Sequence, residues 1–170
     1  MTDLSDDITS IATDADNIIQ NFQLDNSSLR GRMVRLGSEL DDIITSHEYP
    51  DIINQLVSET LVVAVSLASM LKYDGIFTLQ IQTSGPITML VADQTSTGHI
   101  RACASYDKDA LDALIKDRGN EKLGIDVLLG KGHMAFTVDQ GPDTERYQGI
   151  VELKGKTLVE SVQHYFNQSE

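Results

Sequence analysis

The chain has 170 residues, of which 41% are hydrophobic and 23% charged, so it can bury the core of one folded domain and is not disordered throughout. Its 13 basic and 26 acidic residues give a formal net charge of −13, which opposes binding to the phosphate backbone of a nucleic acid. The single cysteine, Cys103, excludes an intrachain disulfide and a four-cysteine zinc site built from this chain alone.

The N-terminal part predicts a flexible leader, two strands and a short helix. Residues 1–16 are acidic and unpatterned, and their first part lacks the Lys and Arg of a secretory signal, so a cytoplasmic protein with a frayed leader is expected. Two extended runs, residues 17–24 and 29–36, flank turn-forming residues and predict a strand pair. Ser38 has the form of a capping-box residue, which predicts a helix that stops before Pro50.

Residues 51–72 predict the central helix. Its second half is apolar or small in every direction around the axis, so it should be buried on all sides, and Met70 should fill the core. The uncharged apolar stretch, residues 60–71, is too short to cross a bilayer, and no membrane span is expected. After this helix the hydrophobic period changes to two, with turns between the extended runs. This pattern predicts an antiparallel meander of three strands over residues 77–105.

The C-terminal part predicts a helix at residues 107–118, a second strand pair and a closing helix. Met134, Phe136 and Val138 fall on one face of the first strand of this pair. Thr157 forms a second capping box with the glutamate three residues later. The inner face of the closing helix should consist of Leu158, Val162, Tyr165 and Phe166.

These elements together predict one α+β domain over residues 1–170. Two groups of antiparallel strands and one helix that is apolar all round favour a layered β/α/β core, in which the buried central helix lies between antiparallel sheets.

The usual catalytic and metal-binding patterns are missing from the sequence. The four histidines lack the spacing of metal ligands; they are His47, His99, His133 and His164. Gly130 and Gly132 flank a lysine as in a phosphate-binding loop, but a predicted strand follows instead of a helix, so a helix C-cap and the start of a strand explain them. No serine lies in a Gly-x-Ser-x-Gly motif. Neither an enzyme nor a metal centre is expected in this chain.

Residues 131–143, KGHMAFTVDQGPD, and residues 145–151, ERYQGIV, resemble a signature of the thirty-three-kilodalton heat-shock protein family, the redox-regulated holdase chaperones. Shorter stretches agree with that family in the same order: residues 29–32, 35–37, 49–50, 71–75, 79–82, 85–86 and 164–170. The resemblance covers nearly the whole chain from about Ile18 onward.

The resemblance implies an ATP-independent chaperone of the bacterial cytosol that binds unfolding client proteins under oxidative stress and acts as a homodimer. Members of the family carry a C-terminal switch whose four cysteines bind zinc when reduced and form disulfides when oxidised. None of those cysteines is present here, so the chain is expected to be the client-binding and dimerisation core, with zinc only in a missing C-terminal segment. Cys103 inherits no role in the switch.

The resemblance and the residue types together predict two sets of site residues. Adaptable apolar side chains are expected to contact clients: Met89, Met134, Phe136 and Tyr147. The signature residues are expected to be structural: Gln140, Gly141, Pro142, Asp143, Arg146, Tyr147, Gln148 and Gly149.

Two alternatives belong to other classes of protein. A dimerisation or scaffold module would use the same sheets without binding clients. A small-molecule enzyme would need an apolar pocket into which several polar groups converge. Suppression of client aggregation separates a chaperone from both alternatives.

Overall fold

The computed structural model describes residues 16–119 and 123–169, so the predicted leader lies outside the described residues except for Asp16. The strands of the described chain are β1 (Ile18–Gln23), β2 (Arg30–Arg35), β3 (Ile76–Thr83), β4 (Ile87–Thr95), β5 (Ile100–Tyr106), β6 (Gly132–Asp139) and β7 (Tyr147–Glu152). The helices are α1 (Ser38–His47), α2 (Asp51–Ala68), α3 (Lys108–Arg118), α4 (Ile125–Leu129) and α5 (Leu158–Ser169).

The strands form two antiparallel sheets, and the fold is α+β as predicted. β1 and β2 pair into a small sheet, which confirms the N-terminal strand pair. The other strands form one sheet in the order β5-β4-β3-β6-β7, so the meander is confirmed in β3, β4 and β5. The second strand pair, β6 and β7, extends this same sheet because β6 pairs along the whole of β3.

Helix α2 lies across one face of the large sheet, which is called the covered face below. Phe77, Leu79 and Ile81 point from β3 into this face and are buried, as their alternation predicts. On the outer side α2 contacts β2 of the small sheet, so the helix lies between the two sheets. The small sheet covers the helix only in part, since Val62 and Val63 on α2 are still partly exposed to solvent.

By length and composition alone, α2 is apolar enough to cross a membrane. Half of its residues are buried inside the fold, among them Leu61 and Ala64 against the large sheet, as expected of a core helix. The helix also ends at Ala68, so Met70 lies beyond it and is exposed. The expectation that Met70 fills the core is therefore wrong, because the helical pattern was extended past the true end of the helix.

The helix ends confirm one capping prediction and correct another. Thr157 Oγ1 accepts a hydrogen bond from the Glu160 amide at 3.1 Å, and the Glu160 carboxylate accepts one from the Lys156 amide at 2.6 Å. Ser38 does not cap α1, because the N-cap is Gly37 and the Ser38 hydroxyl accepts a hydrogen bond from the Asn17 side chain at 3.1 Å. The serine joins α1 to the start of the small sheet.

Candidate functional site

An apolar groove opens at one end of the covered face, where the chain after α2 approaches α5. Its volume is about 220 Å³. Its walls come from α2 and the following turn, from β3, β6 and β7, and from α5. The groove is lined by Leu67, Met70, Leu71, Phe77, Phe136, Val138, Tyr147, Tyr165 and Phe166.

The floor of the groove follows from strand register. Phe77 of β3 lies opposite Val138 of β6, which in turn lies opposite Tyr147 of β7, so the three side chains form one row across the covered face. Phe136 lies on the same face two residues before Val138. Tyr165 of α5 packs against Phe136 with ring centroids 4.7 Å apart. These contacts fix α5 beside the row and leave a channel between them.

Gly149 of β7 allows α5 to lie this close to the sheet. A Cβ atom at this position would lie 2.5 Å from the Tyr165 hydroxyl oxygen and 3.1 Å from Cζ of the ring. The ring of Tyr165 therefore occupies the space that a side chain at residue 149 would fill. The ring also meets Phe166 edge to face at 5.3 Å, so the glycine indirectly sets the aromatic wall of the groove.

The rim of the groove is apolar and exposed. Tyr147 is 63% exposed and Phe166 46% exposed, and the side chains of Met70 and Leu71 are also open to solvent. The polar side-chain groups of the lining are the hydroxyls of Tyr147 and Tyr165, which lie 3.4 Å apart. Such a lining suits the burial of apolar side chains by contact, and it offers no set of converging polar groups for catalysis.

The structure separates the four residues expected to contact clients. Phe136 and Tyr147 come together in the groove, although Phe136 is buried and contributes only to its floor. Met89 lies on the opposite face of the sheet, half-buried beside Gln80. Met134 is 0% exposed and belongs to the core, so the expectation that it offers accessible surface is corrected. It points into the covered face, beneath the helices.

Sequence reasoning identified Tyr147 but missed the other exposed residues of the rim. Met70 and Leu71 were assigned to the central helix, and Phe166 to the inner face of the closing helix. The turn-forming residues Asp74 and Gly75 were the available signal, because they indicate that the chain leaves the helix before it enters β3.

The signature residues build the turn between β6 and β7. Asp139 Oδ1 accepts a hydrogen bond from the Gly141 amide at 3.0 Å, and its Oδ2 pairs with the Arg146 guanidinium at 2.5 Å. The Gly141 hydrogen bond and the Arg146 side chain hold the pKa of Asp139 below its usual range. Gln148 donates a hydrogen bond from its side chain to the hydroxyl of Thr137 at 3.1 Å. Arg146 and Gln148 of the signature therefore make contacts within the turn and its two strands.

The remaining signature residues lie at the surface of this turn. Gly141 has a φ of 101°, a conformation that favours glycine, and the exposed residues beside it are Gln140, Pro142 and Asp143. Asp139 itself was not singled out from the sequence, although it is the residue that ties the turn together.

A metal-binding role finds no support in the side chains that the structure describes. Within residues 16–119 and 123–169, no three His, Cys, Asp or Glu side chains are grouped so that they could hold a metal ion. Cys103 is half-buried on β5. The zinc that the family resemblance implies for the C-terminal switch therefore does not fit these residues.

Comparison with known proteins gives a consistent result. A family model described as Hsp33 protein matches residues 17–170. The 33 kDa chaperonin of Caulobacter vibrioides is 37% identical over 166 residues, which are 96% of this chain and 54% of that protein. The 33 kDa chaperonin of Vibrio cholerae is 35% identical over 159 residues, 92% of this chain and 50% of that protein.

The fold is also found among solved structures. The crystal structure of the 33 kDa chaperonin of Thermotoga maritima aligns with a TM-score of 0.73 at 21% identity, over 91% of this chain and 51% of that chain. This likeness concerns the fold alone. The chain spans about half the length of the curated relatives it matches.

Proposed function

This chain belongs to the Hsp33 family, and we propose on that basis that it is the core of a chaperone that binds unfolding proteins and prevents their aggregation. The observation that carries the proposal is the apolar groove, whose rim exposes Met70, Leu71, Tyr147 and Phe166. Exposed apolar side chains grouped in this way mark a surface that binds another apolar surface.

The chemistry of the groove supports the binding of unfolded client proteins rather than the catalysis of a reaction. Contact between apolar side chains is non-directional, so one groove can accept many sequences. Methionine and aromatic side chains adapt to varied partners. We therefore infer a holdase that uses no ATP and catalyses no reaction, acting as a homodimer in the cytoplasm during stress.

The proposal assigns redox control to other residues. The chain contains a single cysteine, so a switch that binds zinc when reduced and forms disulfides when oxidised requires cysteines that are not among these 170 residues. The core described here should therefore bind clients without oxidation.

The test measures light scattering of a heated client protein with the native chain and with two serine variants on α5. Phe166 and Val159 are almost equally exposed, at 46% and 49%, but only Phe166 lines the groove. Phe166→Ser should raise the concentration needed for half-suppression about tenfold, because burying a phenylalanine contributes roughly 1.5–3 kcal/mol. Val159→Ser should leave it unchanged.

Each result of this test has a defined meaning. If the native chain suppresses no aggregation, the chaperone proposal fails and a scaffold module becomes the better interpretation. If both serine variants act like the native chain, the core holds clients through a surface other than the groove.

A further inference from the structure

The two edges of the large sheet differ in how well they are closed. β7 forms one edge and pairs with β6 on its inner side only. The Leu153 amide donates a hydrogen bond to the Gly132 carbonyl at 2.9 Å. In an antiparallel pair every second residue bonds to the partner strand, so this bond shows which residues of β7 face β6 and which face outward. Gln148, Ile150 and Glu152 therefore direct their backbone N–H and C=O groups outward. Among the described residues, no hydrogen bond reaches these outward groups.

The opposite edge, β5, is blocked by a side chain. The Tyr49 hydroxyl donates to the Ala104 carbonyl at 3.0 Å and accepts from the Ala104 amide at 3.1 Å. It thereby takes both outward groups of one residue on that edge. The ring of Tyr49 is in turn flanked by His47, stacked at 4.9 Å, and by Tyr106. Natural sheets protect edges in this way against pairing with other chains, and within residues 16–119 and 123–169 no side chain protects β7 like this.

Apolar side chains flank the open edge on both faces of the sheet. Tyr147 stands on the covered face beside the groove, and Ile150, which is 62% exposed, stands on the opposite face. An extended segment added beside β7 would place alternate side chains against each of them. The groove and the edge would then bind the same segment, through side chains and backbone respectively.

The charges near β7 favour a particular kind of segment. The cations on either side of the strand are already paired, Arg146 with Asp139 and Lys154 with Glu152 at 3.4 Å. Asp143 forms no ion pair among the described residues, and neither does Glu145. The whole chain carries a net charge of −13. Lysine or arginine next to the apolar residues of an incoming segment would therefore be attracted to this edge.

We propose that clients bind as an additional strand on the outer edge of β7: an extended segment with alternating apolar residues and flanking basic residues. This inference rests on the proposed chaperone function and specifies the form in which the client is held. Backbone hydrogen bonds would supply affinity for any sequence, and the groove would select apolar side chains at alternate positions.

The first experiment uses synthetic peptides and the native chain. The parent peptide alternates apolar residues with threonine and ends in lysines; two further peptides are N-methylated, one at the apolar and one at the threonine positions. N-methylation removes backbone donors and keeps the side chains. At least one methylated peptide should bind about tenfold more weakly than the parent, because several hydrogen bonds are lost. Equal binding of all three would overturn strand addition.

The second experiment changes the edge itself. Ile150→Pro removes an outward donor but no hydrogen bond to β6, whereas Ile150→Thr keeps the donor and alters only the side chain. The proline variant should bind the parent peptide about tenfold more weakly than the threonine variant. Circular dichroism checks that both variants fold. If the proline variant does not fold, the binding of the methylated peptides to the native chain still tests strand addition.

The remaining outcomes separate this inference from the function on which it rests. If both Ile150 variants suppress client aggregation like the native chain and bind the peptide equally, strand addition is wrong and the chaperone function stands. If sedimentation shows that Ile150→Pro separates a dimer into monomers while peptide binding is unchanged, the edge pairs two copies of this chain and the client proposal is overturned. If the native chain suppresses no aggregation, the proposed function itself fails.

Discussion

Asp139 fixes the turn between β6 and β7 with both of its carboxylate oxygens. The Gly141 amide and the Arg146 guanidinium stabilise the ionised form, so the pKa of this carboxyl is lower in the folded chain than in the unfolded chain. A carboxyl of this kind stabilises the fold fully above its unfolded pKa, and the contribution is lost as the pH falls through the folded value.

Asp139→Asn should therefore be less stable than the native chain at pH 7, and the difference should shrink as the pH falls through the acid range. Urea midpoints measured from pH 7 to about pH 3 test this expectation. Asp143→Asn is a matched control, because Asp143 lies in the same turn and makes no hydrogen bond or ion pair among the described residues. A difference between Asp139→Asn and the native chain that stays constant with pH would contradict the account.

The residue scale also shows a limit of reading a strand from its sequence. Alternation correctly placed Met134, Phe136 and Val138 on one face of β6. It could not show which face the helices cover, because that depends on contacts with segments far away in the chain. Met134 was therefore assigned to an accessible surface, whereas it is 0% exposed and belongs to the hydrophobic core.

At the scale of elements, one side of α2 is packed against the large sheet. Ala64 is 0% exposed and lies in the core beside the large sheet. A carboxylate there would be buried without a partner, and the close packing of the helix on the strands leaves little room for it.

Ala64→Asp should prevent stable folding, since an unpaired buried charge costs roughly 3–5 kcal/mol against a total stability of about 5–15 kcal/mol. Gln55→Asp introduces the same group on an exposed position of α2 and should change the unfolding free energy by about 0.5 kcal/mol or less. Urea denaturation followed by circular dichroism compares the two. An Ala64→Asp variant with an unchanged urea midpoint would contradict the burial of this side of the helix.

The elements themselves were largely predictable, and their assembly was less so. Local periodicity and the capping residue Thr157 predicted the strands and the longer helices close to their observed positions, but not the short helix α4. The pairing of β3 with β6 joins segments about fifty residues apart and leaves no local signal, so the second strand pair was not expected to extend the first sheet. The groove depends on this pairing, since Phe77 and Val138 become neighbours only through it.

At the scale of the whole molecule, the expected response to oxidants that act on thiols depends on one half-buried cysteine side chain. Cys103 cannot form a disulfide within the chain, and it lies on β5, at the opposite edge of the sheet from β7 and the groove. Oxidation of this thiol should therefore leave the proposed client-binding surface unchanged.

Suppression of aggregation by this chain should be the same in reductant and in diamide, an oxidant that acts on thiols and spares the exposed Met70 at the groove. The measurement is the concentration for half-suppression in each condition, with Cys103→Ser as a control that removes the thiol. Activity that appears only after oxidation would contradict the expectation, and its loss in Cys103→Ser would assign the effect to a disulfide between chains.

Tyr49 has a consequence for how copies of this chain can join. A linear polymer that grows by strand pairing needs two free sheet edges on each copy. In the large sheet one of these edges is β5, where the Tyr49 hydroxyl bonds to the backbone groups of Ala104. Two copies that met through their β7 edges would present to a third copy, from this sheet, only the β5 edges, where Tyr49 occupies the backbone groups of Ala104. Growth through this sheet would stop at a pair, so the side chain of Tyr49 acts as a chain terminator against fibre formation.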